Sequence, residues 1–173
     1  MTKPEIQNLL VENYASFLAV MRRMPDVQAH MAAPGKWSPA QQAEHLVKSV
    51  RPVTLAFTLP KFLLPLIFGR SNRPSRTFDE LVARYQAKLT AGGRASNPFI
   101  PGIPRNLDRV YRRLGRTVDQ LRRRIDRFTE SELDTLILPH PLLGKLTLRE
   151  MLYFTAYHAK HHQHSIEATH SPA

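Results

Sequence analysis

Hydrophobic residues along this chain recur at three- and four-residue spacing, the signature of helices with one buried face. Ile6, Leu9, Leu10, Phe17, Leu18, Met21 and Met24 form one such stripe and predict a helix from about Pro4 to Met24. A second helix starts at Pro39, with Ala43, Leu46, Val47 and Val50 on its apolar face. It is expected to be disturbed at Pro52, because proline removes a helix hydrogen bond and crowds the preceding turn. A shorter helix is predicted over Phe78 to Thr90, closed by Gly92-Gly93. Leu107, Val110, Leu114, Val118, Leu121, Ile125 and Phe128 mark a long helix from Pro104 to Phe128. Leu148, Met151, Leu152, Thr155, Ala159 and Ile166 mark the last one, to about Ala168. Residues 71–76 and 94–104 read as loops, and 134–146, with His140-Pro141 and Gly144, as a turn or small hairpin.

Helix starts are written into the same pattern. Thr2-x-x-Glu5, Ser38-x-x-Gln41, Thr77-x-x-Glu80, Thr129-x-x-Glu132 and Thr147-x-x-Glu150 all fit the capping box, in which a hydroxyl and a carboxylate or amide satisfy free backbone N–H groups. Pro39 follows Ser38 at the first helical position, where its missing N–H costs nothing. Long amphipathic helices with one apolar stripe each, and lengths near 20 residues, imply an all-α four-helix bundle with an extra short helix and long loops. With 173 residues and no repeat or composition shift, one domain over 1–173 is expected.

Composition narrows the chemistry. Hydrophobic residues are 42% and charged residues 23%, which excludes a disordered chain. Cysteine is absent. That excludes disulfides, iron–sulfur clusters, cysteine-type zinc sites and cysteine nucleophiles. No signal-peptide pattern opens the chain, so a cytoplasmic location is expected. The most apolar stretch, Pro52 to Phe68, holds Lys61 and three prolines. It is shorter than the ~20 residues that span a bilayer, so no transmembrane span is expected. It reads as a buried or partly buried turn-rich segment, with membrane contact or a partner or homodimer surface as the alternatives.

Any metal site must therefore use His, Asp or Glu. On the last helix, His158 and His162 continue the apolar stripe one turn apart, a spacing that can chelate one ion. No Glu follows His158, so the helical zinc-protease motif is absent. The alternative is a polar cluster near a helix C-terminus, where the dipole favours imidazolium. His161 and His164 lie off that line and are expected to be exposed or beside the ligands. His45 is the best candidate for a third ligand. It stands ~100° from Leu46, beside its helix's stripe, which fits both a pocket rim and a plain surface histidine. Glu44 is expected at the surface. Gln41 faces the site or caps the helix, and Tyr153 and Tyr157 supply a phenol or simply pack.

Trp37-Ser38-Pro39-x-x-x-x-Glu44-His45-Leu46 resembles the second-helix motif of the DinB/YfiT-like superfamily of metal-dependent enzymes. His158-x-x-His161-His162 resembles its last-helix motif, and His140-Pro141-Leu142-Leu143-Gly144-Lys145-Leu146-Thr147-Leu148-x-Glu150 is similar to a segment of an uncharacterised branch. The likeness runs from about 5 to 168. It implies a DinB/YfiT-type four-helix bundle with a three-histidine site, in which His45, His158 and His162 match the ligands and His161 the neighbouring non-ligand. Members of the family include S-transferases and isomerases that use low-molecular-weight thiols such as bacillithiol, mycothiol or glutathione. The resemblance thus implies a metal-dependent transferase or hydrolase for a small-molecule substrate, with a divalent Zn, Ni or Fe and, in the thiol case, a small thiol cofactor. Three imidazoles leave positions open for water or substrate, as catalytic sites do. One departure is Ser165, where the family often has Gln three residues after the last ligand.

A second reading starts from charge. The formal net charge is +11, and residues 105–127 carry nine Arg against three Asp. Arg105, Arg109, Arg112, Arg116, Arg123 and Arg127 lie opposite the apolar stripe within roughly 60° of arc. Such a stripe can track phosphates in an anion- or nucleic-acid-binding module. No aromatic residues interleave with it for base stacking, and a solvated outer face is the plainer reading. A non-catalytic bundle with a vestigial site is the third. The pocket walls are expected from 52–76 and 91–104.

Overall fold

A computed structural model of the chain describes residues 1–170, the last of them, His170, by its helical backbone alone. Positions 171–173 of the expected domain lie outside the described residues. Four long helices make the core: α1 (Lys3–Arg23), α3 (Pro39–Ala56), α6 (Leu107–Ile125) and α8 (Leu148–His170). Short elements join them: α2 (Asp26–His30), α4 (Leu63–Phe68), α5 (Phe78–Thr90), α7 (Glu130–Thr135) and the strands β1 (Ile137–His140) and β2 (Gly144–Thr147). Each long helix packs on two others, α1 on α8 and α6, and α3 on α6 and α8. The predicted stripes meet there: Ile6, Leu10 and Phe17 of α1, Leu46 and Val50 of α3, Leu114 and Leu121 of α6, and Leu152 of α8 are all buried. This is the four-helix bundle the periodicity implied, with a two-stranded hairpin beside it.

The capping boxes hold. Ser38, Thr77 and Thr129 each accept from the backbone N–H three residues on, and Gln41, Glu80 and Glu132 accept in return. Thr147 and Glu150 make the same exchange where β2 turns directly into α8. Gln41 is thus spent on its cap.

The expected disturbance at Pro52 does not occur, and α3 runs on to Ala56. Val53 and Ala56 beyond it are buried, and Thr54 donates to the Val50 carbonyl and to Thr117 on α6. Packing on both sides outweighs one missing hydrogen bond. The apolar segment 52–68 is accordingly part helix and only part buried. Phe57 and Leu64 lie in the core, whereas Leu55, Phe62, Leu66 and Ile67 are exposed. Two short helices, α2 and α4, were not anticipated. The long helix α6 starts later than Pro104, because Asn106 caps it by accepting from Arg109 N–H.

The connection from α3 to α6 crosses the face of α8. Its middle, α5, packs on α8, and residues 70–77 are tied down by a buried carboxylate. Glu150 is wholly buried and takes both guanidinium nitrogens of Arg73, at 2.7 and 2.8 Å, with the backbone N–H and side chain of Arg76. Burial alone would raise its carboxyl, but the Arg73 side chain and the Arg76 and Thr147 N–H groups outweigh that and hold it below the usual range. Arg149 does the same for the other edge, clamping Asp134 and Glu130. No helix among the described residues is long and apolar enough to cross a membrane.

Candidate metal centre

Where α3 and α8 pack, the structure brings His45, His158 and His162 together, all buried. The spacing of four on α8 stacks His158 and His162 with ring centroids 4.7 Å apart, and His45 meets them edge-on at 5.0 and 5.1 Å. The Nε2 atoms of His45 and His162 lie 3.2 and 3.0 Å from Nε2 of His158. His45 is therefore not a surface residue. Trp37 covers one side of its ring, at 4.9 Å between centroids.

The other edge of two rings is committed. His45 Nδ1–H donates to the Phe99 carbonyl at 2.8 Å, and Lys48 holds the same loop by donating to the Ile100 carbonyl. His162 Nδ1–H donates to Gln42 Oε1 at 2.9 Å. Gln42 is itself fixed, because its amide NH₂ donates to the Trp37 carbonyl. Burial first, and neighbouring imidazoles second, push His158 and His162 well below the ordinary histidine range. Burial lowers His45 too, partly offset by its bond to Phe99. Neutral rings with Nδ1–H in use present Nε2 lone pairs, and these converge on His158. The buried Nδ1 of His158 has no hydrogen-bond partner among the described residues.

This donor set fits a metal ion. Tetrahedral zinc at 2.0–2.1 Å from imidazole nitrogen spaces adjacent ligands ~3.3 Å apart, close to the spacings here. Backbone and amide acceptors on the remote nitrogens are what fix a ligating tautomer. Lone pairs crowded this closely repel unless a cation or a proton lies among them.

A cleft of about 230 Å³ opens beside the triad, with His45 and His158 in its wall. That is an order of magnitude beyond the ~10–15 Å³ one water requires. Its walls come from Pro52, Val53 and Phe68, from Arg94 and Phe99, as the sequence led us to expect of 52–76 and 91–104, and also from the hairpin and α8. Most of the lining is apolar; Ser49, Tyr85, Arg94 and His140 add polar groups. Ser49 Oγ lies 3.4 Å from His45 Nε2.

Other sequence candidates fall elsewhere. Tyr153 reaches Met1 and Tyr157 accepts from Gln86, so neither supplies the site with a phenol. Tyr85 lines the cleft instead, and the helix periodicity gave no hint of it. His161 is half-buried against Tyr85, and His164 is exposed. Gln42 was overlooked although it stands three residues before His45, on the same helical face. Ser165 is not needed to hold His162, since Gln42 does so. Arg109, Arg112, Arg116 and Arg123 of α6 are exposed, and none of them lines the cleft.

The family model of the DinB superfamily matches residues 9–166. No curated protein matches the sequence. Among solved structures, TT2238, described as a four-helix bundle protein, is 20% identical with a TM-score of 0.61, over 96% of this chain and 99% of that one. YfiT from Bacillus subtilis, described as a probable metal-dependent hydrolase with an unusual four-helix bundle topology, is 16% identical with a TM-score of 0.66. That match covers 100% of this chain and 91% of the other. At such identities the likeness is one of fold.

Proposed function

The chain belongs to the DinB superfamily, and from that premise we propose that it is a metal-dependent enzyme for a small molecule, with His45, His158 and His162 holding one divalent ion. The observation that carries this reading is the convergence of three buried Nε2 atoms, two of them on rings whose Nδ1–H groups are engaged. An ion there supplies Lewis acidity, which polarises a substrate oxygen or makes a water or thiol more acidic. The chain's own residues do the rest. Gln42 and the Phe99 carbonyl keep two imidazoles in the ligating tautomer. The apolar wall excludes water and so strengthens each polar contact inside the cleft. Hydrolysis is the reaction we favour, supported by the description of the YfiT fold neighbour.

Metal analysis of the purified full chain tests the ligand set. Wild type is expected to carry close to one equivalent of a divalent metal, and His158→Ala and His45→Ala to lose it. Full occupancy in either variant overturns the proposal. Ester and amide hydrolysis, assayed on the loaded protein with and without added low-molecular-weight thiol, then separates hydrolysis from thiol-dependent transfer, which proceeds only when the thiol is present.

A further inference from the structure

His140 stands outside the triad, at the end of β1, and lines the same cleft. Its ring is fixed in a way the hairpin alone explains only by half. Nδ1 accepts from the backbone N–H groups of both Leu142 and Leu143, at 3.1 and 3.0 Å. An imidazole nitrogen that accepts two N–H groups carries no proton, so the proton of the neutral ring is on Nε2. Phe154, with its centroid 4.2 Å away and nearly perpendicular, locks the ring plane. Burial pushes His140 down to about 4, so the ring is neutral at physiological pH. The turn that donates to Nδ1 is built for it. Pro141 presets the backbone after His140, and Gly144 takes the positive φ of 76° that closes the turn.

What His140 has left to offer is one fixed, uncharged N–H donor. Among the described residues Nε2 has no hydrogen-bond partner, and it is not among the buried polar atoms left without one, so it keeps contact with open space. A charged imidazolium would instead have to be desolvated in an apolar wall. A neutral N–H in such a wall pairs with an uncharged acceptor, and the mostly apolar lining accommodates a hydrocarbon body around it.

We propose that His140 donates Nε2–H to a carbonyl oxygen of the substrate, and that the substrate is a small carbonyl compound, ester or amide, with an apolar body. This rests on the metal-dependent reading of the neighbouring triad for its chemistry, though not for its binding contact. A donor held by two backbone N–H groups and a ring contact needs no reorganisation when charge grows on that oxygen. Preorganised donors of this kind are the ones that contribute most in acyl transfer.

The test uses the full chain supplied with one equivalent of Zn²⁺, with zinc content measured in the same samples. The ligand probe is 4-phenylbutanamide; butylbenzene, the same body without an acceptor, is its control. Nitrogen-detected histidine spectra are expected to give the Nε2–H tautomer for His140, with that signal moving on addition of the amide and not of butylbenzene. His140→Asn places Oδ1 where Nδ1 stood, so it keeps the turn, while its shorter amide withdraws the N–H donor from the Nε2 position. It is expected to bind the amide about fivefold to tenfold more weakly, with butylbenzene affinity, zinc content and Tm unchanged. Equal amide affinity in His140→Asn, an Nδ1–H tautomer in wild type, or no amide binding at millimolar concentration each overturns the proposal. A failure of the metal reading is separate: zinc is then absent while the amide titration stays as described.

Discussion

Replacing Gln42 with Leu removes two hydrogen bonds, to His162 and to the Trp37 carbonyl, and nothing of the proposed ligand set. His162 Nδ1–H, 2.9 Å from Gln42 Oε1, then faces an apolar group inside a site where His162 is only 7% exposed. A buried donor left without a partner costs about 1–3 kcal/mol. The ring can escape that cost by moving its proton to Nε2, but that nitrogen is the one aimed at the triad. Ligation must then work against the tautomer, and loss of such an outer acceptor typically lowers metal affinity about 10–100-fold. Competition with a chromophoric zinc chelator measures this directly. Gln42→Leu is expected to fall in that range, and Gln42→Glu, which keeps an acceptor, to stay within a few-fold of wild type. Gln41→Leu is the internal control. Gln41 caps α3 through Ser38, so its loss is expected to cost about 1 kcal/mol of stability and leave zinc affinity intact. Zinc affinity within threefold of wild type in Gln42→Leu would refute the reasoning.

Three further outcomes follow from the structure. Glu150→Gln leaves Arg73 and Arg76 without their carboxylate, yet both are partly solvated, with side chains 31% and 27% exposed. The expected loss is therefore about 2–3 kcal/mol, below that of a fully buried pair, or about 4–12 °C in Tm; an unchanged midpoint would contradict it. Stability is expected to decline as pH falls from 6.5 toward 4. His45, His140, His158, His161 and His162 are all lowered chiefly by burial, so the unfolded chain takes up protons first. His30, raised by the Pro104 and Asp26 carbonyls, runs the other way by one group. Urea midpoints at pH 7.5, 6 and 5 check the sign, and a flat or rising series would contradict it. In Gly93→Ala the new Cβ would meet the Lys88 carbonyl oxygen at 2.6 Å and Leu142 at 2.7 Å. A loss of about 1–3 kcal/mol is expected in chemical denaturation, and wild-type stability would show that the α5 terminus yields more freely than its packing implies.

Much of the bundle was legible because helix periodicity and capping are local. The stripe on 107–125 became the buried face of α6, and five capping boxes named helix starts before any contact was known. The reading failed where a local rule met packing. Pro52 was expected to disturb α3, but Val53, Thr54 and Ala56 are held against the bundle and the helix continues. Of the two readings of 52–68, buried or partly buried, the second holds, with Phe57 and Leu64 in the core and Leu66 and Ile67 facing outward, because composition does not say which side of a short helix meets the core.

For the site, the chain by itself determined the candidate ligand type and half of the cluster's geometry. With no cysteine, only imidazoles and carboxylates remained, and the four-residue spacing of His158 and His162 fixed two rings on one helical face. Tertiary structure decided what is not encoded within one turn of helix. It turned His45, ambiguous beside its stripe, inward to meet a ring 113 positions away. It supplied Gln42 and the Phe99 carbonyl as acceptors and carried His140 from a hairpin to the wall of the same cleft. Periodicity reports which way a side chain leaves its own helix; what it meets there depends on how separate elements pack, and that is a property of the whole fold.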